Sequence, residues 1–310
     1  MANYIFGVDV GGTTIKMGLF HTDGTLIDKW EIPTRTENGG ENVLPDIAQA
    51  VFDKCSERSI EKSDVAGIGI GVPGPVDSKG VVHKCVNLNW GVFNLNEKLE
   101  EMTGIKVKAG NDANVAALGE MWKGGGQGFD SIVMVTLGTG VGGGIIVDGE
   151  ILTGSIGAGG EIGHIHVMDD ETEACGCGNH GCLEQYASAT GVVRLANREL
   201  ADNRDETVLK AGQCSAKDVW DAVKAGDAVA LRVAEKFGEI LGKGLASVAC
   251  VINPQAFVIG GGVSRAGEVL LSYIEKNYTP YVFHASRDVK FVLATLGNDA
   301  GIYGAAKLVL

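Results

Sequence analysis

Three of the seven cysteines and three of the six histidines of this chain fall in one stretch, GAGGEIGHIHVMDDETEACGCGNHGCLE, residues 157–184. Cys175, Cys177 and Cys182 form a C-x-C-x4-C array, with Glu161 and His164 upstream and Glu184 two residues beyond the last cysteine. Three thiolates and one imidazole are the number and kind of ligands that a closed tetrahedral zinc site takes. On spacing alone His164, His166 and His180 compete to be the fourth ligand. Gly176, Gly178 and Gly181 let so short a loop fold around an ion, because glycine takes strained dihedrals cheaply. Glu161 and Glu184 flank the metal set without matching its preference for sulfur and nitrogen. Carboxylates on a rigid loop accept hydrogen bonds from hydroxyl groups in fixed directions, which suits a sugar. A disulfide with one thiol left over is the competing reading. Clustered cysteines in a reducing compartment are more often metal ligands than cross-links.

The elements that must carry this loop repeat. Residues 4–31 read as three strands, YIFGVDV, IKMGLF and TLIDKWEI, with a Gly-Gly-Thr-Thr turn and an Asp23-Gly24 turn between them. Residues 131–153 follow the same plan, SIVMVTL, VGGGIIV and EILTG, with a Gly-Thr-Gly turn and an Asp148-Gly149 turn. Asp-Gly between β-rich runs is a strong hairpin signal. Helical patterning follows at 42–58 in the first half, and at 186–200 and 231–251 in the second. Each half then has an apolar strand ending in glycine, at 65–75 and 256–263. Each closes with a strand running into a helix through Gly-Asn-Asp-Ala, at 110–113 and 297–300. Such a duplication predicts two related α/β lobes with a mixed sheet each and a cleft between them.

Gly-Thr turns at matching strand ends offer backbone amides to a phosphate. Gly11, Gly12, Thr13 and Thr14 form one candidate, and Gly138, Thr139 and Gly140 the other. Asp9, beside the first turn, is placed to bring Mg²⁺, which keeps several waters when bound by few protein ligands. Gly260, Gly261 and Gly262 could admit adenine and ribose against bare backbone, or simply form a tight turn. No Walker motif and no Rossmann fingerprint occurs. Phosphoryl transfer to an alcohol needs one base near the hydroxyl, the rest being positioning and charge. Asp112 and Asp299 are the symmetric candidates, both at positions where an Asp commonly caps a helix. Asp112 is expected to be the base, with Asn111 orienting a sugar hydroxyl, and Asp299 to keep the cap role.

At 310 residues, with 45% hydrophobic content, the chain is long enough for two cores. Its 47 glycines exceed the usual share of about 7% and signal tight turns or close backbone approach to a ligand. A net charge of −13 argues against a nucleic-acid partner, which would need clustered Lys and Arg. The start MANYIFGVDVGG enters a strand pattern without the n-region and apolar core of a secretory signal, and no run is long enough to span a bilayer. A cytoplasmic protein without membrane contact is expected. Cys55, Cys85, Cys214 and Cys250 are scattered and read as buried thiols without chemistry.

DVGGTTIK (9–16), GVPGPVD (71–77), NDANVAALGE (111–120), LGTGVGGGII (137–146), GEIGH (160–164) and CGCGNHGCLE (175–184) together resemble the motifs of the ROK family of sugar kinases. Similarity continues through GGGVSRAGE (260–268) and LGNDAGIYGAA (296–306), and the run is most similar to the family's bacterial ATP-dependent glucokinases. The resemblance implies a two-lobe actin-like, ribonuclease H-like, hexokinase-type fold, an active-site cleft between the lobes, and a homodimer. It implies a small lobe of 1–110 plus about 297–310 and a large lobe of 111–296. It implies ATP with Mg²⁺, a structural zinc on His164, Cys175, Cys177 and Cys182, and Lys16 among the ATP-binding residues. Asp112 would be the base, and Asn111, Glu161, His164 and Glu184 would hold the sugar. His164 would then touch the metal through one ring nitrogen and a sugar hydroxyl through the other. Gly71–Pro75 and Asn87–Trp90, with Gly74 and Asn89 among them, are the wall candidates around the sugar's C2. Glucose is the expected substrate. N-acetylglucosamine, N-acetylmannosamine, mannose or fructose are the alternatives, followed by a sugar-responsive repressor of the same family.

Overall fold

The computed structural model describes residues 2–202 and 205–310. In chain order the elements are β1 (Tyr4–Val10), β2 (Thr14–His21), β3 (Leu26–Pro33), α1 (Glu37–Gly40), α2 (Val43–Arg58), β4 (Val65–Val72), β5 (Val81–Val82), β6 (Phe93–Asn94), α3 (Leu95–Thr103), β7 (Val107–Asn111) and α4 (Asp112–Lys123). Then come β8 (Ile132–Leu137), β9 (Val141–Val147), β10 (Glu150–Ile151), α5 (Glu184–Ala187), α6 (Ala189–Asp202), α7 (Ala216–Lys224), α8 (Ala228–Ile252), β11 (Ala256–Gly260), α9 (Glu268–Tyr278), β12 (Lys290–Leu293) and α10 (Ala300–Leu308).

Two five-stranded sheets run β3-β2-β1-β4-β7 and β10-β9-β8-β11-β12. Both start from an antiparallel meander whose first strand lies at the centre, and both then add two parallel strands. The expected duplication is therefore present strand for strand. Asp23-Gly24 and Asp148-Gly149 sit in the hairpins, with Gly24, Asp148 and Gly149 all at positive φ.

The chain packs as two compact units: Met1–Asp130, Gly144–Gly160 and Leu296–Leu310 form the first, and Ser131–Gly143 and Glu161–Thr295 the second. Residues 111–130 and 144–160, assigned from sequence to the large lobe, thus belong to the first unit. The cause is the contact of α4 with α10. A Cβ on Gly119 would lie 2.2 Å from the Ala300 carbonyl oxygen, and one on Gly304 would lie 1.7 Å from that of Val115.

Strand β1 is apolar almost throughout because both faces of its sheet are covered. Phe6, Val8 and Val10 join Val43, Ile47, Val51, Leu95 and Leu99 from α2 and α3. Ile5, one residue out of phase, packs with Phe20, Ile302 and Ala306 on the α10 side. In the second unit β11 pairs in parallel with β8 and β12, Val258 lying opposite Met134 and Val292. Phe257 stacks on Phe291 and meets Tyr278 edge-on. Gly238 and Gly242 let the long helix α8 approach the α9 backbone, since a Cβ at either would lie 2.6 Å from it.

The helical run expected at 186–200 is two helices. The chain turns extended at Ser188, whose buried hydroxyl accepts from the Gly191 amide and so starts α6 afresh. At 297–299 the expected strand end is a 3-10 turn, β12 having stopped at Leu293. Of the four scattered cysteines, Cys85 is buried, Cys55 and Cys214 partly so, and Cys250 is exposed near the end of α8, on its outer face. Among the described residues no helix is long and apolar enough to cross a membrane.

Candidate active site

In the first unit the carboxylate at 112 is set up by its neighbour. Asn111 ends β7 with extended backbone and is the N-cap of α4, its Oδ1 accepting from the amides of Ala113 and Asn114 at 3.1 Å each. The α4 cap is therefore carried by Asn111. Its Nδ2 donates to the Gly74 carbonyl and to Asp112 Oδ1, both at 3.1 Å. Asp112 Oδ1 also accepts from the Ala113 amide at 2.8 Å. The first turn of a helix favours negative charge, so this position suits an ionised carboxylate. Gly74 has φ of +104°, and a Cβ there would lie 2.7 Å from the Lys84 carbonyl oxygen. Asn89, also at positive φ, lines a 220 Å³ cavity with Gly39, Gly40, Trp90 and Phe93.

Asp9 sits near the end of β1 directly across from Lys16. Burial pushes its pKa up to about 6, with Lys16 pulling down and the Asp112 charge pushing further up. Its carboxyl lies over the first turn of α10, where a Cβ on Gly301 would come within 2.5 Å of Asp9 Cγ. Lys16 Nζ donates to the Asn298 carbonyl at 3.1 Å. Asp299 takes no side-chain cap bond; it pairs with Lys29 at 2.7 Å, which draws its carboxylate away from the helix amides. The phosphate-turn candidate is closed by Gly11 N donating to Thr14 O at 3.0 Å, and Gly12 and Thr13 are exposed at its tip. Thr34 braces the turn, its hydroxyl donating to Gly11 O at 2.7 Å and its amide to Thr13 O at 3.0 Å. Thr34 and Gly301 adjoin these candidate residues, and sequence reasoning missed both. The repeat of Asn-Asp-Ala at 111–113 and 298–300 was the signal that could have pointed to Gly301.

In the second unit the metal loop brings its ligands together. The donor atoms of His164, Cys175, Cys177 and Cys182 all lie within 4.8 Å of one another. Cys177 Sγ to Cys182 Sγ and Cys175 Sγ to His164 Nδ1 are both 3.7 Å. A tetrahedron with bonds of about 2.3 Å has edges of about 3.8 Å, so the four residues fit zinc. Burial pushes the Cys175 thiol up to about 12, and exposed Cys177 is pulled down by the Asn179 amide. A divalent cation at the centre reverses the Cys175 preference, because metal-bound thiols lose their proton. His166 is spent elsewhere: Nδ1 meets the His180 carbonyl and Nε2 meets Asp169, each at 2.9 Å. Gly181 has positive φ, and a Cβ on it would strike the Met168 carbonyl oxygen at 2.0 Å.

The sugar and phosphate candidates of this unit adjoin the loop. Glu184 Oε1 accepts from Cys175 Sγ at 2.8 Å and lies 3.7 Å from His164 Nδ1. Its Oε2 approaches so near Gly140 that a Cβ there would lie 2.6 Å away. Glu161 is exposed just ahead of the 3-10 turn Ile162–His164. That turn packs on β9, as a Cβ on Gly163 would lie 2.1 Å from Val141 O. Gly138 and Gly140 close their turn with a 3.0 Å amide bond about Thr139. Gly261, at φ of +84°, abuts Leu137, while Gly262 meets no atom within 4 Å of a Cβ position, and Gly260 ends β11. The triple glycine therefore lies against the strand end that leads into the Gly138 turn.

Duplicated sheets, a Gly-Thr turn at the first hairpin of each, and a Cys3His loop are the marks of one class. A profile of the ROK family matches residues 5–310, and the chain belongs to that family. It is 46% identical over 309 residues to a glucokinase of Halalkalibacterium halodurans, covering 98% of this chain and 94% of that protein. It is 38% identical over 312 residues to a glucokinase of Thermotoga maritima, covering 98% and 96%. A solved ROK glucokinase of Streptomyces griseus, in complex with glucose and AMPPNP, superposes with a TM-score of 0.73 at 35% identity, covering 98% of both chains.

Proposed function

We propose that this protein is an ATP-dependent glucokinase, transferring the γ-phosphoryl group of ATP to the 6-hydroxyl of D-glucose to give glucose 6-phosphate and ADP. The observation that carries the reading is the setting of Asp112: a carboxylate at the head of α4, steered by Asn111 at 3.1 Å. Asp112 accepts the 6-OH proton as O6 bonds to the γ-phosphorus. The bond from that phosphorus to the β,γ-bridging oxygen breaks, and its electrons leave with ADP. Glu161, Glu184 and the outer nitrogen of His164 orient the remaining sugar hydroxyls, with Gly74 and Asn89 lining the wall. The turns at 11–14 and 138–140 direct amides at the phosphates, and Gly260–Gly262 receive the adenosine.

Mg²⁺ bound with ATP would supply charge neutralisation along the phosphates; Asp9 would hold it, and Lys16, opposite Asp9, would add positive charge toward the phosphates. Structural zinc on His164, Cys175, Cys177 and Cys182 fixes the loop that carries Glu184. A reducing cytoplasm suits three thiolate ligands, and a role in glycolysis and a homodimer go with the reading. The test is a coupled ADP-release assay over a hexose panel. Glucose is expected to give the highest kcat/KM. A higher value with N-acetylglucosamine, N-acetylmannosamine, mannose or fructose would move the assignment within the family. No hexose-dependent ADP release would end it.

A further inference from the structure

At the base of the metal loop lies an ion cluster that the proposed reaction does not use. Glu171 is 7% exposed. Its carboxylate accepts from the Tyr186 hydroxyl and from Arg198 Nη2 at 3.1 Å, and pairs with Arg194 Nη2 at 2.7 Å. Arg194 Nη2 also reaches Glu173 Oε2 at 2.9 Å. Both guanidinium groups lie over the Tyr186 ring, at 5.5 and 5.9 Å from its centre. Burial alone would raise the Glu171 pKa, yet Tyr186, the Glu173 amide and the two arginines outweigh it and hold the group near 2. At neutral pH this is a buried, ionised, fully engaged carboxylate.

A second link runs parallel to it. Gln185 donates from Nε2 to the Glu173 carbonyl at 2.9 Å and accepts from the Cys182 amide at 3.0 Å. Together the two links tie residues 171–173, just before Cys175, to residues 185 and 186, just after Cys182. Glu184 stands between them, at the start of α5. That helix is four residues long, too short to be stable by its own hydrogen bonds. Its position is set by what its side chains grip.

We infer that Glu171 is a positioning residue for sugar binding: through Tyr186 it clamps α5 and so aims the Glu184 carboxylate at the hexose. The inference rests on the glucokinase reading and adds to it a determinant outside the pocket. Tyr186→Phe removes one hydroxyl and leaves the ring between the arginines, so it tests the link without emptying the core. Glucose binding by calorimetry should weaken about tenfold, the usual order for losing a hydrogen bond to a charged group. AMPPNP binding should stay within about twofold. Zinc should remain at one per chain, with faster release to a chromophoric chelator. Glu171→Gln should act in the same direction, and the double variant should lose less than the sum of the two singles, since they share the Glu171–Tyr186 bond.

Unchanged glucose affinity in folded Tyr186→Phe overturns the inference. So does a parallel loss of AMPPNP affinity, which would mark general loosening, or additive losses in the double variant. A wild type that binds no hexose sinks the glucokinase reading and this inference with it. A wild type that binds, beside variants that bind equally well, sinks this inference alone.

Discussion

Asn111 satisfies the first amides of α4, and that leaves Asp112 in the same helical turn with a carboxylate to use for chemistry. Asp112→Asn keeps the shape and removes the proposed base. Turnover should fall by about 10²–10⁴-fold with glucose affinity little changed, as steady-state kinetics and calorimetry would read. Asn111→Ala should cost about 1 kcal/mol of stability as a lost cap, and also lower kcat because Asp112 loses its guide. A variant that lost only stability would remove the guiding role. Asp9 makes a pH prediction. Its folded pKa of about 6 stands above the ordinary 3.8, mainly through burial. A raised carboxylate pKa means the folded state holds its proton more tightly, so stability falls as pH rises from about 4 through 6 and stays lowered above. Without Mg²⁺, Asp9→Asn should therefore be the more stable protein at pH 8, by up to about 3 kcal/mol, and no different near pH 3.5. Urea titrations at the two pH values decide it.

At the scale of elements, the fold rests on α10 lying closer to its neighbours than side chains allow. A Cβ on Gly7 would be 2.0 Å from Ile302 O, and one on Gly69 would be 1.6 Å from Ala305 O. With Gly119 and Gly304, where α4 meets α10, these make four positions where the α10 backbone meets that of a neighbouring element. Gly304→Ala should destabilise by about 1–3 kcal/mol through overpacking, seen as a lowered melting temperature, although alanine is the better helix former. Here sequence reasoning reached its limit for a physical reason. Abundant glycine was read as turns and ligand approach, which holds at Gly24, Gly149 and Gly181. The same residue inside β1, β4 and α10 signals backbone packing across distant segments, and nothing local distinguishes the two uses. The duplicated hairpins were legible because turns and apolar runs are local signals. So was the metal set, because three of its four donors lie within eight residues. The cap role expected of Asp299 is not taken by its side chain, because Lys29 on a strand distant in sequence pairs with the carboxylate. Nothing in the sequence around Glu171 marks it out. Its arginines arrive from α6, more than twenty residues away.

The molecule as a whole holds two compact units with separate cores, and the chain passes between them more than once. Multi-domain proteins of this kind commonly depart from a single unfolding transition. The metal set lies wholly in the second unit, where its four ligands come from a loop with little apolar content of its own. Metal binding there is folding free energy for that loop, and it requires Cys175 to give up a proton that burial holds to about 12. Three consequences follow together. A strong chelator, or Cys177→Ser, should lower the calorimetric transition that carries the second unit and leave the first unit's transition almost unmoved. The zinc affinity should fall steeply with acidification, because protons compete for the same sulfur atoms. Glucose affinity should drop with the metal, through Glu184 and His164, while nucleotide affinity should decline less, since none of the proposed nucleotide-binding residues is itself a metal ligand. Equal loss of both ligands on chelation, or a metal-free protein that binds glucose normally, would mean that the loop is shaped by its hydrogen bonds alone and that the sulfur cluster serves something other than the sugar.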